Sequence, residues 1–173
     1  MFPMRYRVEI MVEYFQLLAR YNSVANDRVY AACAALDDAQ YRRDSAASFG
    51  SIHRTLNHIM VGDRIWMGRF EGVASGITRL DALLYDDLPA LAEARRREDR
   101  RIEEYTARLT AETVASTLHY TNMAGRQFDD SMAMLLGHMF NHQTHHRGQI
   151  HVMLSEAGVR GLSLDLHRIA NPG

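Results

Sequence analysis

Five of the nine histidines fall within fourteen residues, His138-Met-Phe-Asn-His142-Gln-Thr-His145-His146-Arg-Gly-Gln-Ile-His151. Neutral imidazole ligates Zn²⁺, Ni²⁺ and Fe²⁺, so metal binding is the first chemistry this run suggests. The pattern around it is helical, from about Ser131 to Ala157. Asp129, Asp130 and Ser131 supply start chemistry and Gly158 supplies a stop. Such a helix is about 40 Å long. On it, His138, His142 and His146 form a ridge at four-residue spacing, and His142 and His145 are neighbours at three. His145 and His146 point about 100° apart around the axis. Two imidazoles one turn apart can share an ion, but spacing alone leaves His145 and His146 as alternatives.

The string Asn141-His142-Gln-Thr-His145-His146-Arg147-Gly148-Gln149 resembles the last-helix signature of the DinB family of small metal-binding four-helix bundles. A second segment, Ser51-Ile-His-Arg-Thr-Leu56-Asn57-His58-Ile with Asp63-Arg-Ile-Trp66, resembles the family's earlier ligand-bearing helix. The resemblance implies His142 and His146 as ligands, with His58 as the third. It also implies an up-down-down-up bundle and a homodimer. At 173 residues the chain reads as one domain, 1–173, and the lone Cys33 suggests a reducing, cytoplasmic compartment. A stress-response setting follows only from the damage induction in the family's name. Characterised members include transferases and isomerases that hold the sulfur of a low-molecular-weight thiol at the metal. Glutathione, bacillithiol and mycothiol are the candidate thiols.

Three neutral imidazoles leave positions open on a divalent ion, the layout of a catalytic site, where structural zinc has four protein ligands. A bound water would have its pKa lowered and a bound thiol would lose its proton. Zinc or nickel is the expected metal, with iron an alternative. The function expected is a metal-dependent transferase using a low-molecular-weight thiol on an electrophilic small molecule. A metal-dependent hydrolase or isomerase without thiol is the alternative, as is a non-enzymatic metal or small-ligand binder. Asn141, Arg147, His138 and Trp66 are candidates for the pocket, the first three for holding an anionic cosubstrate and Trp66 as a wall. Gln143, where a zinc protease has its general-base Glu, excludes that mechanism. No Glu has a His three residues later, which excludes the di-iron bundle motif.

The elements that must position these residues are helical. A repeat of Ile10, Tyr14, Leu17, Tyr21 and Val24 predicts an amphipathic helix from about Tyr6 to Leu36, ended by Asp37 and Asp38. Asn22 and Asn26, one turn apart, face either the interior or solvent. A second helix opens at Ser48–Ser51, runs to Phe70 and closes at Gly72, with His58 on it. Residues 72–88 read as a loop with a short helical turn near Leu80–Tyr85. Pro89 suits the first turn of a third helix to about Leu109. There Glu93–Arg97, Arg95–Asp99 and Arg100–Glu104 make a self-neutralised solvent face. Between Thr117 and Phe128 the pattern permits a two-stranded or irregular segment that crosses one end of the bundle. Gly148, in mid-helix, implies close approach of another helix near the metal. The segment Leu162–Leu166 is expected to fold back on the bundle.

Composition bounds the rest. A net charge of −1 argues against capture of nucleic acid or anionic membrane. All twenty basic residues are Arg. Cys33, the only cysteine, lies in a small-residue helical run and reads as a packed core thiol. Arg5, Arg7, Glu9 and Glu13 interrupt any signal-peptide core, and no stretch approaches eighteen uncharged apolar residues.

Overall fold

A computed structural model describes residues 4–170, with side chains from Val8 onward, so Arg5 and Arg7 lie outside the described side chains. Four long helices dominate: α1 (Met4–Cys33), α3 (Ile52–Glu71), α4 (Leu88–Ala107) and α6 (Met132–Glu156). Short helices α2 (Asp38–Arg42), α5 (Ala111–Ala115) and α7 (Leu166–Ala170) occupy connections and the tail. Strands β1 (Thr117–Thr121) and β2 (Gln127–Ser131) pair antiparallel just before α6, with Thr117 opposite Ser131. The architecture is an all-α bundle carrying one hairpin.

Side-chain contacts fix the helix directions. Phe15 stacks near Phe140 and Asn22 bonds Arg147, so α1 and α6 run parallel. Gln16 reaches Thr106 whereas Asn26 reaches Asp99, so α1 and α4 are antiparallel. Asp63 meets Arg95 and Glu71 meets Arg101, which makes α3 and α4 parallel. The order is therefore up-down-down-up. Parallel neighbours α3 and α4 need a connection that travels back along the bundle, and residues 72–87 supply it. Gly72 starts that connection at φ +70°, the left-handed conformation that terminates helices readily at glycine.

Helix ends follow local chemistry. The Ser51 and Asp87 side chains cap α3 and α4 by accepting from the backbone N–H groups of Arg54 and Ala90. Asp37 does not merely end α1. With Gln40 it forms a capping box that starts α2, and the last turn of α1 closes at Cys33. Helix α6 starts after Ser131 as expected, but without the expected capping chemistry. Ser131 makes no side-chain cap, Asp129 pairs with His119, and Asp130 accepts from Tyr120 within the hairpin. Near Leu80–Tyr85 a single hydrogen-bonded turn forms at Leu80–Asp81, where the Ala82 N–H donates to the Arg79 carbonyl at 3.4 Å, and the rest of the connection is irregular.

Two apolar clusters fill the bundle. One is centred on Leu56, Met60, Leu91 and Leu154, and the other on Met67, Ile102, Leu136 and Met139. Cys33 is fully buried in the first, where burial pushes its thiol up to about 12. The tail returns as expected, with Tyr21 Oη donating to the Leu164 carbonyl at 2.8 Å.

Two sequence expectations fail for one reason. Ile10, Tyr14 and Val24 are exposed, while the inward stripe of α1 runs through Phe15, Ala19, Asn22, Asn26 and Val29. On α4, Arg95 and Asp99 are buried rather than solvated. The interior is polar where these helices meet, so an apolar stripe misreads it. Arg95 pairs with Asp63 and Asp99, and Asp99 accepts from Asn26 at 2.9 Å. Arg147 donates to Asn22, Asn26 and Gln143. All four long helices contribute to this network. The surface pair Glu93–Arg97 forms as expected, at 2.8 Å.

Candidate metal centre

Helices α3 and α6 lie antiparallel, and their facing turns bring His58 against His142 and His146. One ring nitrogen from each lies within 4.8 Å of the other two. His58 Nε2 and His142 Nε2 are 2.9 Å apart. The His142 and His146 rings stand 4.5 Å apart, centroid to centroid, and His58 and His146 4.6 Å apart. Among the described residues no carboxylate or thiol shares the cluster.

The other ring nitrogens show which lone pairs are free. His58 Nδ1 is 2.8 Å from the Leu80 carbonyl, an acceptor, so Nδ1 carries the proton and Nε2 keeps its lone pair. His146 Nδ1 is 2.9 Å from Gln149 Oε1, which likewise frees its Nε2. Carbonyl partners on the distal nitrogen are what orient metal-ligating histidines. Nitrogens sharing one tetrahedral ion stand roughly 3.3 Å apart, a separation bracketed by the 2.9 Å pair and the 4.8 Å limit. The donor set fits a divalent ion.

Burial keeps these ligands neutral. Desolvation holds His58 below the usual imidazole range despite its bond to Leu80, and His146 lies low for the same cause. His142 is pushed down to about 3, first by burial and then by the imidazoles around it. Ligands that stay unprotonated at neutral pH are what a metal requires.

Residues beyond the histidines shape the centre. Asn57, fully buried, donates to the His53 and Tyr85 carbonyls and accepts from the Leu84 and Tyr85 N–H groups. It thereby pins the 72–87 connection that carries Leu80. Phe49 stacks on His58 at 3.6 Å between centroids and meets His146 edge-on at 5.5 Å. Behind Phe49 is a cavity of about 590 Å³, lined also by Ser48, Arg54, Asp81 and Leu83. Gln149 reaches Ser48 as well, at 3.4 Å. Sequence reasoning did not single out Phe49, Leu80 or Asn57 for roles at this site. Only Asn57 left a signal, as part of the Leu56-Asn57-His58 string that carries the resemblance. A backbone carbonyl from a distant loop has no sequence signature.

The remaining expected pocket residues are placed less centrally. His138 is exposed, 6.2 Å from the His142 ring and 5.2 Å from Trp66. Trp66 is half-buried between Tyr120, Phe70 and the Arg69 guanidinium. Asn141 is exposed on α6. Arg147 is 2% exposed, and its bonds run to buried side chains of α1 and α6, so it belongs to the core network rather than to a cavity wall. His145 is exposed near Gln149. Gly148 meets nothing, so no helix approaches there. Among the described residues no helix is long and apolar enough to cross a membrane.

The sequence profile of the DinB family matches residues 11–172. Protein DinB of Bacillus subtilis (strain 168) is 31% identical over 156 residues, covering 86% of this chain and 88% of that protein. Two crystal structures share the fold. A DinB-like protein from Bacillus subtilis superposes with a TM-score of 0.63 at 21% identity, over 86% of this chain and 96% of the other. One from Bacillus cereus ATCC 10987 gives 0.60 at 20%, over 80% and 91%.

Proposed function

The chain belongs to the DinB family, and from that premise we propose that it is a divalent-metal transferase. It joins a low-molecular-weight thiol, such as glutathione, to an electrophilic small molecule, with zinc or nickel as the ion and iron as the alternative. The observation that carries the reading is the convergence of His58, His142 and His146, two of them with their tautomer set by a carbonyl acceptor. When bound, an ion held by three uncharged imidazoles keeps its full positive charge and lowers the pKa of a thiol that ligates it.

The chain's own residues do the rest. Leu80 and Gln149 hold two ligand rings in orientation. Phe49 covers one face of His58 and keeps water from it. The cavity lined by Phe49 and Leu83 takes the electrophile, next to the cluster through the Phe49 ring that stacks on His58. Arg54 at its rim, exposed, offers positive charge to an anionic thiol cosubstrate, the duty expected of Arg147.

The test is turnover of model electrophiles by zinc- or nickel-loaded protein, with and without glutathione. Turnover that requires thiol, is lost in His58→Ala, His142→Ala and His146→Ala and persists in His145→Ala supports the proposal. Turnover independent of thiol would contradict it in favour of metal-assisted hydrolysis or isomerisation. Metal uptake with no turnover of any electrophile would leave a metal-binding protein and no transferase.

A further inference from the structure

Gly62 lies one helical turn after His58, on the face of α3 turned toward α6. A Cβ built at Gly62 would come within 2.8 Å of His142 Cε1 and 3.2 Å of His142 Nδ1. The first distance is one that real Cβ contacts do not reach, so an alanine here and the observed His142 ring cannot coexist. The obstructed atoms belong to one side-chain ring and not to backbone, so the conflict is relieved by swinging the imidazole away while the helices stay in place. The glycines of α6 differ: a Cβ at Gly137 or Gly148 would meet nothing within 4 Å.

We propose that Gly62 is a positioning residue for the metal centre. By lacking a side chain it leaves the space in which the His142 ring lies, with Nε2 turned toward His58 and His146. This inference rests on the metal-site reading above. It explains why a residue that costs about 1 kcal/mol relative to alanine in a helix interior sits in a buried turn of α3. Stability and metal affinity are thereby set against each other at one position. Gly62→Ala gives the helix a better residue and takes His142 out of the ligand set.

The test measures Zn²⁺ and Co²⁺ affinity by competition titration, the Co²⁺ absorption spectrum and the thermal midpoint of the metal-free protein. The variants are Gly62→Ala, Gly148→Ala, His142→Ala and the Gly62→Ala/His142→Ala pair. The expected result for Gly62→Ala is about 10–100-fold weaker metal binding, the range for changes that disorient a ligand. Its Co²⁺ spectrum should move toward that of His142→Ala, and its metal-free midpoint should be equal to or above wild type. Gly148→Ala should gain stability with wild-type affinity. In the His142→Ala background, Gly62→Ala should change affinity no further, because the ring it displaces is gone.

Wild-type affinity in Gly62→Ala would overturn the inference while leaving the metal site intact. Equal losses in Gly62→Ala and Gly148→Ala, or an additive loss in the double variant, would overturn it in favour of a general effect on the helices. Loss of the helical fold in Gly62→Ala would do so too, by moving the conflict onto backbone. Wild-type protein that takes up neither ion would overturn the metal-site reading and this inference together.

Discussion

His145 and His146 are adjacent in sequence and differ in surroundings because an α-helix turns about 100° per residue. His146 faces α3, with one nitrogen held by Gln149 and the other directed into the three-histidine cluster. His145 faces out beside Gln149. His146→Ala is therefore expected to lower metal affinity by about two orders of magnitude or more, and His145→Ala to leave it within about twofold. Isothermal titration of the two variants checks this, and the opposite ranking would place the ligand register one residue away. A pH effect belongs to the same residues. In metal-free protein the folded value of His142, about 3, lies below its unfolded value, about 6.5. Between these limits the unfolded chain binds more protons. The resulting stability is fully present above the unfolded value and declines as pH falls toward the folded one. Chelator-treated wild type should lose denaturation midpoint as pH drops from 7 to 4, and His142→Ala should lose less. Parallel curves would remove His142 as the cause. At this scale the sequence was informative about which histidines could converge. It was silent on what orients them: the carbonyl of Leu80 comes from a loop twenty-two residues away. Close approach was expected at Gly148 but occurs at Gly62, because a glycine's environment depends on the neighbouring helix and not on its own.

The four long helices were legible from apolar spacing and caps, most directly at Ser51 and Gly72, which bound α3 as read. The hairpin before α6 was legible in the alternation around Leu118 and Tyr120. The inward faces of α1 and α4 were misread, because periodicity scores apolar residues and these faces carry Asn22, Asn26, Arg95 and Asp99. A buried polar seam of this kind joins elements by specific partners. Burial raises the Asp63 carboxyl against the pull of Arg95, and each group is tolerated inside because the other is there. Arg95→Leu, which strands Asp63 and Asp99, should cost about 3–5 kcal/mol in urea unfolding. Exposed Arg97→Ala, which breaks only the surface pair with Glu93, should cost well under about 1 kcal/mol. Equal effects would mean that the seam is no more than a wet surface contact.

The up-down-down-up order makes the 72–87 connection run back along the bundle, and that passage delivers Leu80 to His58. The centre thus joins α3, α6 and the connection, and an ion bound there should stabilise the whole chain. Free metal at about a hundred times its dissociation constant adds about 2.7 kcal/mol. At about 2–4 °C per kcal/mol for a chain of this size, the thermal midpoint should rise several degrees and fall back with chelator. The family and the bundle could be seen in two short motifs and a helix count, whereas the cavity behind Phe49 could not, because it is made by segments that meet only in the fold. The central claim is that three histidines hold a metal. Elemental mass spectrometry of protein purified without an affinity tag or added metal, beside His142→Ala, tests it most directly. Near-stoichiometric zinc, nickel or iron in wild type and its loss in the variant is the predicted result. Wild-type protein that stays metal-free even after soaking in those ions would contradict it, and the histidine cluster would then be bundle packing alone.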